Sequence, residues 1–195
     1  IKHDPEQEFR ESVYTKDDGD TYLCFPAPGV KGAMATAALE TAGINKTNVN
    51  RGIFVPGDFI QVWGKPYLKM DIVRSADMNK TPDVRTRAFL PNWVAEINIK
   101  YVVPTFSRHS ISSLLNNAGA MVGIGDFRQE KGRGSYGTFA VASDEDMGEW
   151  QELWDSITQE GRDIQKLAME QPECADRQTA ELMQCLQEER LRRAA

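Results

Sequence analysis

The chain has 195 residues, 41% of them hydrophobic, and a formal net charge of −6. That is ordinary for a globular protein of one domain plus an appendage, long enough to bury a real core. It leaves no run of transmembrane length and no signal peptide, so no membrane partner is expected.

The charge is uneven. Residues 1–20 carry −4, residues 21–143 carry +6 and residues 144–195 carry −8. A basic centre between acidic ends suits a domain that meets a polyanion through one face. Cys24, Cys174 and Cys185 are scattered without metal-ligand spacing, which points to a reducing cytoplasm and predicts no metal site. The first residue is Ile1, and the expectation is that further residues precede it.

Residues 1–20 are polar, with Phe9, Val13 and Tyr14 able to pack a short helix or strand. Asp17-Asp18-Gly19-Asp20 is a turn signal that lacks the spaced carboxylates and closing Glu of a calcium loop. Thr21 to Phe25 reads as a short strand, and an alanine-rich helix is expected to begin near Val30, with Gly29 and Gly32 in its first turn. Glycines and Lys31 at a helix start make a ready anion site; alternatively, Gly32 admits close approach to a sheet. No Gly-Lys-Ser/Thr follows, which excludes a Walker-type nucleotide hydrolase.

Lys46 and Arg51 lie in a polar loop. Strands are expected over Gly52 to Trp63, interrupted at Pro56-Gly57, and over Tyr67 to Val73. Arg85 and Arg87 share one face of a strand at Val84 to Ala88. The cleanest strand pattern is Trp93 to Val103, where Glu96, Asn98 and Lys100 alternate with Ile97, Ile99 and Tyr101. Ser107 is a natural N-cap for a helix from Ser110 to Ala120 that follows Arg108 and puts Ile111, Leu114, Leu115 and Ala118 on one face. His109, alone at that helix start, is read as a cap or surface residue and not as a catalyst.

The stretch Gly123 to Gly137 holds five glycines, Arg128, Lys131 and Arg133, and the aromatics Phe127 and Tyr136. Glycine backbone can lie close to a ligand, successive N–H groups can cradle phosphate, and the aromatics can stack on bases. A strand is expected over Thr138 to Ala142. From residue 144 the pattern turns helical: Trp150, Leu153, Trp154, Ile157, Ile164, Leu167 and Ala168, then beyond Pro172 Leu182, Leu186 and Leu191. This predicts an acidic αα-hairpin over 144–195, appended to a domain over 1–143.

The order of motifs is Phe25-Pro26-Ala27-Pro28-Gly29-Val30-Lys31-Gly32, then strands, a second helix, Gly123-Ile124-Gly125, a basic loop, Tyr136-Gly137 and a strand. Over roughly residues 25–142 it resembles the RAMP superfamily, the RNA-binding proteins of class 1 CRISPR effector complexes. The similarity is to the backbone subunits that polymerise along a guide RNA. The resemblance implies an α+β fold with a ferredoxin-like (RRM-like) antiparallel sheet, two helices and an inserted thumb-like hairpin within Pro56 to Asp83.

It also implies that Lys31 and the glycine loop contact RNA, which covers Gly29, Lys31, Gly32, Gly123, Gly125, Phe127, Arg128, Lys131, Arg133 and Tyr136. The residues themselves, not the resemblance, add Lys46, Arg51, Arg85, Arg87 and Arg108 as candidate cations, and Arg85 and Arg87 either track phosphates or are simply solvated. The expected partners are a guide RNA, a complementary target nucleic acid, further copies of the chain and a separate nuclease or effector. No cofactor and no catalytic role are expected, and a minimal, phage- or mobile-element-encoded member is implied. Three alternatives stay open: a single-stranded DNA binder, a phage assembly protein docking through the acidic hairpin, and an RNA endonuclease of the same fold whose cleavage would depend on His109 or on an Asp.

Overall fold

The computed structural model describes residues 3–74, 81–130, 134–142 and 147–194. It is a mixed α and β protein whose strands form small antiparallel sheets. The chain forms two compact units, one from Ile1–Cys24, Gln61–Ala95 and Trp154–Ala195, the other from Phe25–Ile60 and Glu96–Leu153. Among the described residues, no helix is long and apolar enough to cross a membrane.

In the first unit, helix α1 (Pro5–Glu11) starts at Asp4, whose carboxylate accepts from the Gln7 N–H. Strand β1 (Tyr14–Thr15) pairs antiparallel with the start of β2 (Leu23–Pro26), Tyr14 opposite Cys24. The main sheet element is a long hairpin, β5 (Tyr67–Arg74) against β6 (Pro82–Phe89), in register from Tyr67–Phe89 to Arg74–Pro82. Leu68 and Met70 alternate inward from β5 and join Phe9, Leu23 and Met169 in one core.

Helices α6 (Arg162–Glu170) and α7 (Arg177–Ala194) complete the unit. The link between them runs along β5: the Leu68 N–H donates to Glu173 O and the Ala175 N–H to Leu68 O, both at 2.8 Å. One side chain fastens α6. Gln165 is fully buried and accepts from the Tyr22 and Leu23 N–H groups at 2.8 and 2.9 Å. Its amide donates to Val62 O and Gly64 O at 2.9 and 3.0 Å.

In the second unit, α2 (Ala27–Ala37) packs on α3 (Lys46–Gly52), on α4 (Arg108–Asn117) and on a π-helical turn (Ala118–Val122) that continues α4. Small residues on α2 permit this: Ala33, Ala35 and Ala37 are buried with Val30 and Met34, and Leu114 and Ala118 are fully buried on the α4 side. A capping box, Ser107 with Ser110, starts α4. Strand β3 (Ile53–Phe54) pairs with β7 (Lys100–Tyr101). Strand β4 (Phe59–Gln61) ends the first segment of this unit, and α5 (Met147–Thr158) precedes α6.

Five sequence expectations are corrected. Lys46 and Arg51 lie in helix α3 and not in a polar loop, the helix being started by Asn45, whose side chain accepts from the Thr47 N–H. Helix α2 begins at Ala27, not near Val30, because Pro28 falls where a missing N–H is harmless; Gly29 is therefore in the first turn and Gly32 one turn on. Trp93 to Val103 is not a continuous strand. Its burial alternates as expected from Glu96 to Tyr101, but strand pairing among the described residues is confined to Val94, bridging Trp63, and to β7, after which the Val102 N–H donates to Gly52 O. Thr138 to Ala142 is not a strand: the Phe139 N–H donates to Gly119 O and the Val141 N–H to the Asn116 carboxamide. The expected C-terminal hairpin is three helices, since the chain breaks between Thr158 and Arg162. There the Arg162 guanidinium donates to Gly19 O and Lys16 O, and the Arg162 N–H to Asp20 O.

Candidate nucleic-acid interface

The two glycine motifs, 90 residues apart, meet inside the second unit. They line a cleft of about 300 Å³. One wall is the α2 face Gly29, Gly32, Ala33 and Thr36, with Phe25 at its foot; the other is Val122 to Gly125 with Arg128 and Glu130.

The glycines of this region divide by what surrounds them. A Cβ on Gly134 would stand 1.6 Å from Phe127 O, and one on Gly137 would stand 1.7 Å from Ile124 O. These two let the loop close on itself. A Cβ on Gly32 or on Gly125 would meet nothing within 4 Å. Gly32 sits inside a helix with a φ that any residue adopts, where glycine costs about 1 kcal/mol against alanine. No close approach to a sheet explains it, which removes that alternative; what its missing side chain does is leave the cleft wall bare. Gly29 has a packing reason as well, because a Cβ there would stand 2.7 Å from the Phe25 ring.

Arg128 is the cation of the cleft. Its Nη1 donates to Gly125 O at 2.9 Å, while Nε and Nη2 reach Glu130 Oε2 at 3.2 and 2.9 Å. The cleft of the free protein therefore holds an ion pair, not a bare positive charge. The expected nest of N–H donors is also partly engaged: the Gly123 N–H donates to Ala118 O and the Ile124 N–H to Gly137 O. Among the described residues the guanidinium is the cation that lines the cleft.

Phe127 and Tyr136 stand together beside the cleft, ring centroids 5.9 Å apart and tilted by 53°. Lys131 and Arg133 lie outside the described residues. Lys31, on α2, does not line the cleft: its Nζ donates to Asn50 O at 2.9 Å and lies 5.3 Å over the Phe54 ring. Lys46 and Arg51 are exposed in the first and last turns of α3, and Arg108 is exposed at the first position of α4.

Arg85 and Arg87 belong to the first unit. They line a separate cleft of about 500 Å³ together with His3, Glu8, Glu11 and Asp83. There His3 bridges Glu8 (3.0 Å) and Asp83 (3.2 Å), and Arg87 donates to Thr86 O. Both ring nitrogens of His3 thus face carboxylates, which suits a structural tie between α1 and β6.

Sequence reasoning missed Phe25, Thr36 and Glu130 as cleft residues. The signal for Thr36 is present, since Gly29, Gly32 and Thr36 recur at helical spacing along one face of α2. Glu130 is visible only as the acid two residues beyond Arg128. Comparison with protein-family models, with curated proteins and with solved structures finds no match to this chain.

Proposed function

We propose that this chain is a non-catalytic RNA-binding protein that acts as the backbone subunits of the RAMP superfamily do. Copies coat a guide RNA side by side, base pairing with the guide selects a complementary target, and a separate nuclease or effector acts on it. The ferredoxin-like plan, with a thumb-like hairpin inserted within Pro56 to Asp83, is part of this proposal. In such RNA-guided recognition the protein holds shape and charge while pairing reads sequence.

The observation that carries the reading is the bare α2 wall facing Arg128. A backbone phosphate needs a narrow approach without side chains and a cation at its end. Gly32 and Gly125 leave the approach open, and Arg128 lines it. Arg128 exchanges Glu130 for phosphate on binding, a charge-assisted and bidentate contact. Counterion release from the RNA then makes affinity fall with salt.

The test is substitution at Gly32. Gly32→Ala raises stability by up to about 1 kcal/mol, because the helix gains a better former at a site with free space. Gly32→Leu fills the cleft, stays folded and lowers affinity for single-stranded RNA at least about tenfold, a loss of roughly 1.4 kcal/mol. Circular dichroism checks folding and fluorescence anisotropy reads binding. A folded Gly32→Leu protein with unchanged affinity contradicts the assignment of this cleft.

A further inference from the structure

We infer that Phe127, braced by Tyr136, is a stacking platform for one unpaired nucleobase of the strand whose phosphate occupies the cleft. The inference rests on the RNA-binding reading above and adds to it a contact with a base. Among the described residues Phe127 alone, other than glycines, has a positive φ, +53°. A bulky side chain in that conformation is an outlier, and such outliers persist where surrounding structure over-determines them, most often at ligand sites.

The surroundings here hold the backbone and leave the ring out. The Phe127 N–H donates to Asp126 Oδ1 at 3.0 Å, and Phe127 O accepts from the Tyr136 N–H at 3.4 Å. Gly134 passes so close to Phe127 O that only glycine fits. Yet the Phe127 side chain is 54% exposed and serves no core; its ring contact is Tyr136, itself 39% exposed. Glycine or asparagine would meet the backbone demand more easily, so the aromatic ring needs another reason.

Position supplies it. Phe127 lies in the chain between Gly125 and Arg128, both of which line the cleft. A ligand that fits a guanidinium in a glycine-walled cleft and an open ring face beside it carries an anion and a flat π surface a short distance apart. A nucleotide with an unstacked base has both. Stacking of this kind tolerates every base, which suits a protein that leaves sequence to pairing.

The experiment compares two labelled strands of equal length, one a mixed-sequence single-stranded RNA and one an abasic ribose-phosphate strand, by fluorescence anisotropy. The proteins are the wild type, Phe127→Asn, which tolerates the left-handed backbone and so keeps the loop, and Phe127→Trp. The expected result is that Phe127→Asn binds the RNA about fivefold or more weakly and the abasic strand as the wild type does, with Phe127→Trp restoring RNA affinity. Equal loss on both strands, or no loss on either, overturns the stacking platform while leaving the backbone reading standing. A wild type that binds neither strand overturns both.

Discussion

The Arg128–Glu130 pair decides the charge of the cleft. Both side chains are about a quarter to a third exposed, so the pair is partly screened, and it competes with any anion that Arg128 could hold. Glu130→Gln keeps the size of the side chain and removes that competition. It is expected to tighten RNA binding about two- to fivefold, the range an exposed ion pair commands, and to leave a steeper fall of affinity with salt. Anisotropy titrations at several salt concentrations check this, and weaker binding by Glu130→Gln would contradict it. At this scale the sequence is partly legible. It marks Gly123 to Gly137 as special, but Gly134 and Gly137 look the same in sequence as Gly125. Only their neighbours, Phe127 O and Ile124 O against open space, separate loop closure from an open wall.

At the scale of elements, the first unit is held by polar side chains reaching backbone groups of distant segments. Gln165 satisfies four of them from inside α6. Gln165→Leu keeps roughly the size of the side chain but takes this partner from two N–H and two C=O groups, one of each buried and one of each half-buried. The expected loss is at least about 3 kcal/mol in urea unfolding, and a loss under about 1 kcal/mol would contradict this role.

Asp176 caps α7, accepting the Thr179 N–H at 2.8 Å and Lys69 Nζ at 2.7 Å. The Lys69 bond, then the Thr179 bonds, lower its pKa from 3.8 to about 2. A carboxylate depressed on folding stabilises fully above its unfolded pKa, and that contribution is lost as pH falls through about 2. Stability therefore declines between about pH 4 and pH 2, and Asp176→Asn should lower stability at neutral pH while flattening that decline in acid. An unchanged acid limb would contradict it. Elements with a strong local period were legible, such as α4 and the β5–β6 strands. Trp93 to Val103 shows the limit: alternation reports an extended chain with two faces, while a strand also needs a neighbouring strand in register, and only Lys100–Tyr101 of this stretch is described as one. Gln165 reads from sequence as one more polar residue on an amphipathic helix.

For the whole molecule, the sequence places a basic centre between acidic ends, and the described structure narrows where that basic character bears on a site. Of the fifteen residues expected to contact RNA, the α2–loop cleft gathers Gly29, Gly32, Gly123, Gly125 and Arg128, with Phe127 and Tyr136 at its side. Lys31 is turned to Asn50, and Arg85 and Arg87 lie among carboxylates of the other unit. That gathering was legible only as two motifs in order; their meeting depends on α2 packing against the π-helical turn after α4.

The central claim is that copies of the chain coat RNA. The most direct measurement is purification from the expression host without nuclease, followed by the ratio of nucleic-acid to protein absorbance and sequencing of what is bound. The account predicts co-purifying RNA of defined length with recurrent ends, in particles whose size follows the RNA. A protein-like absorbance ratio, with any oligomers persisting free of nucleic acid, would contradict it.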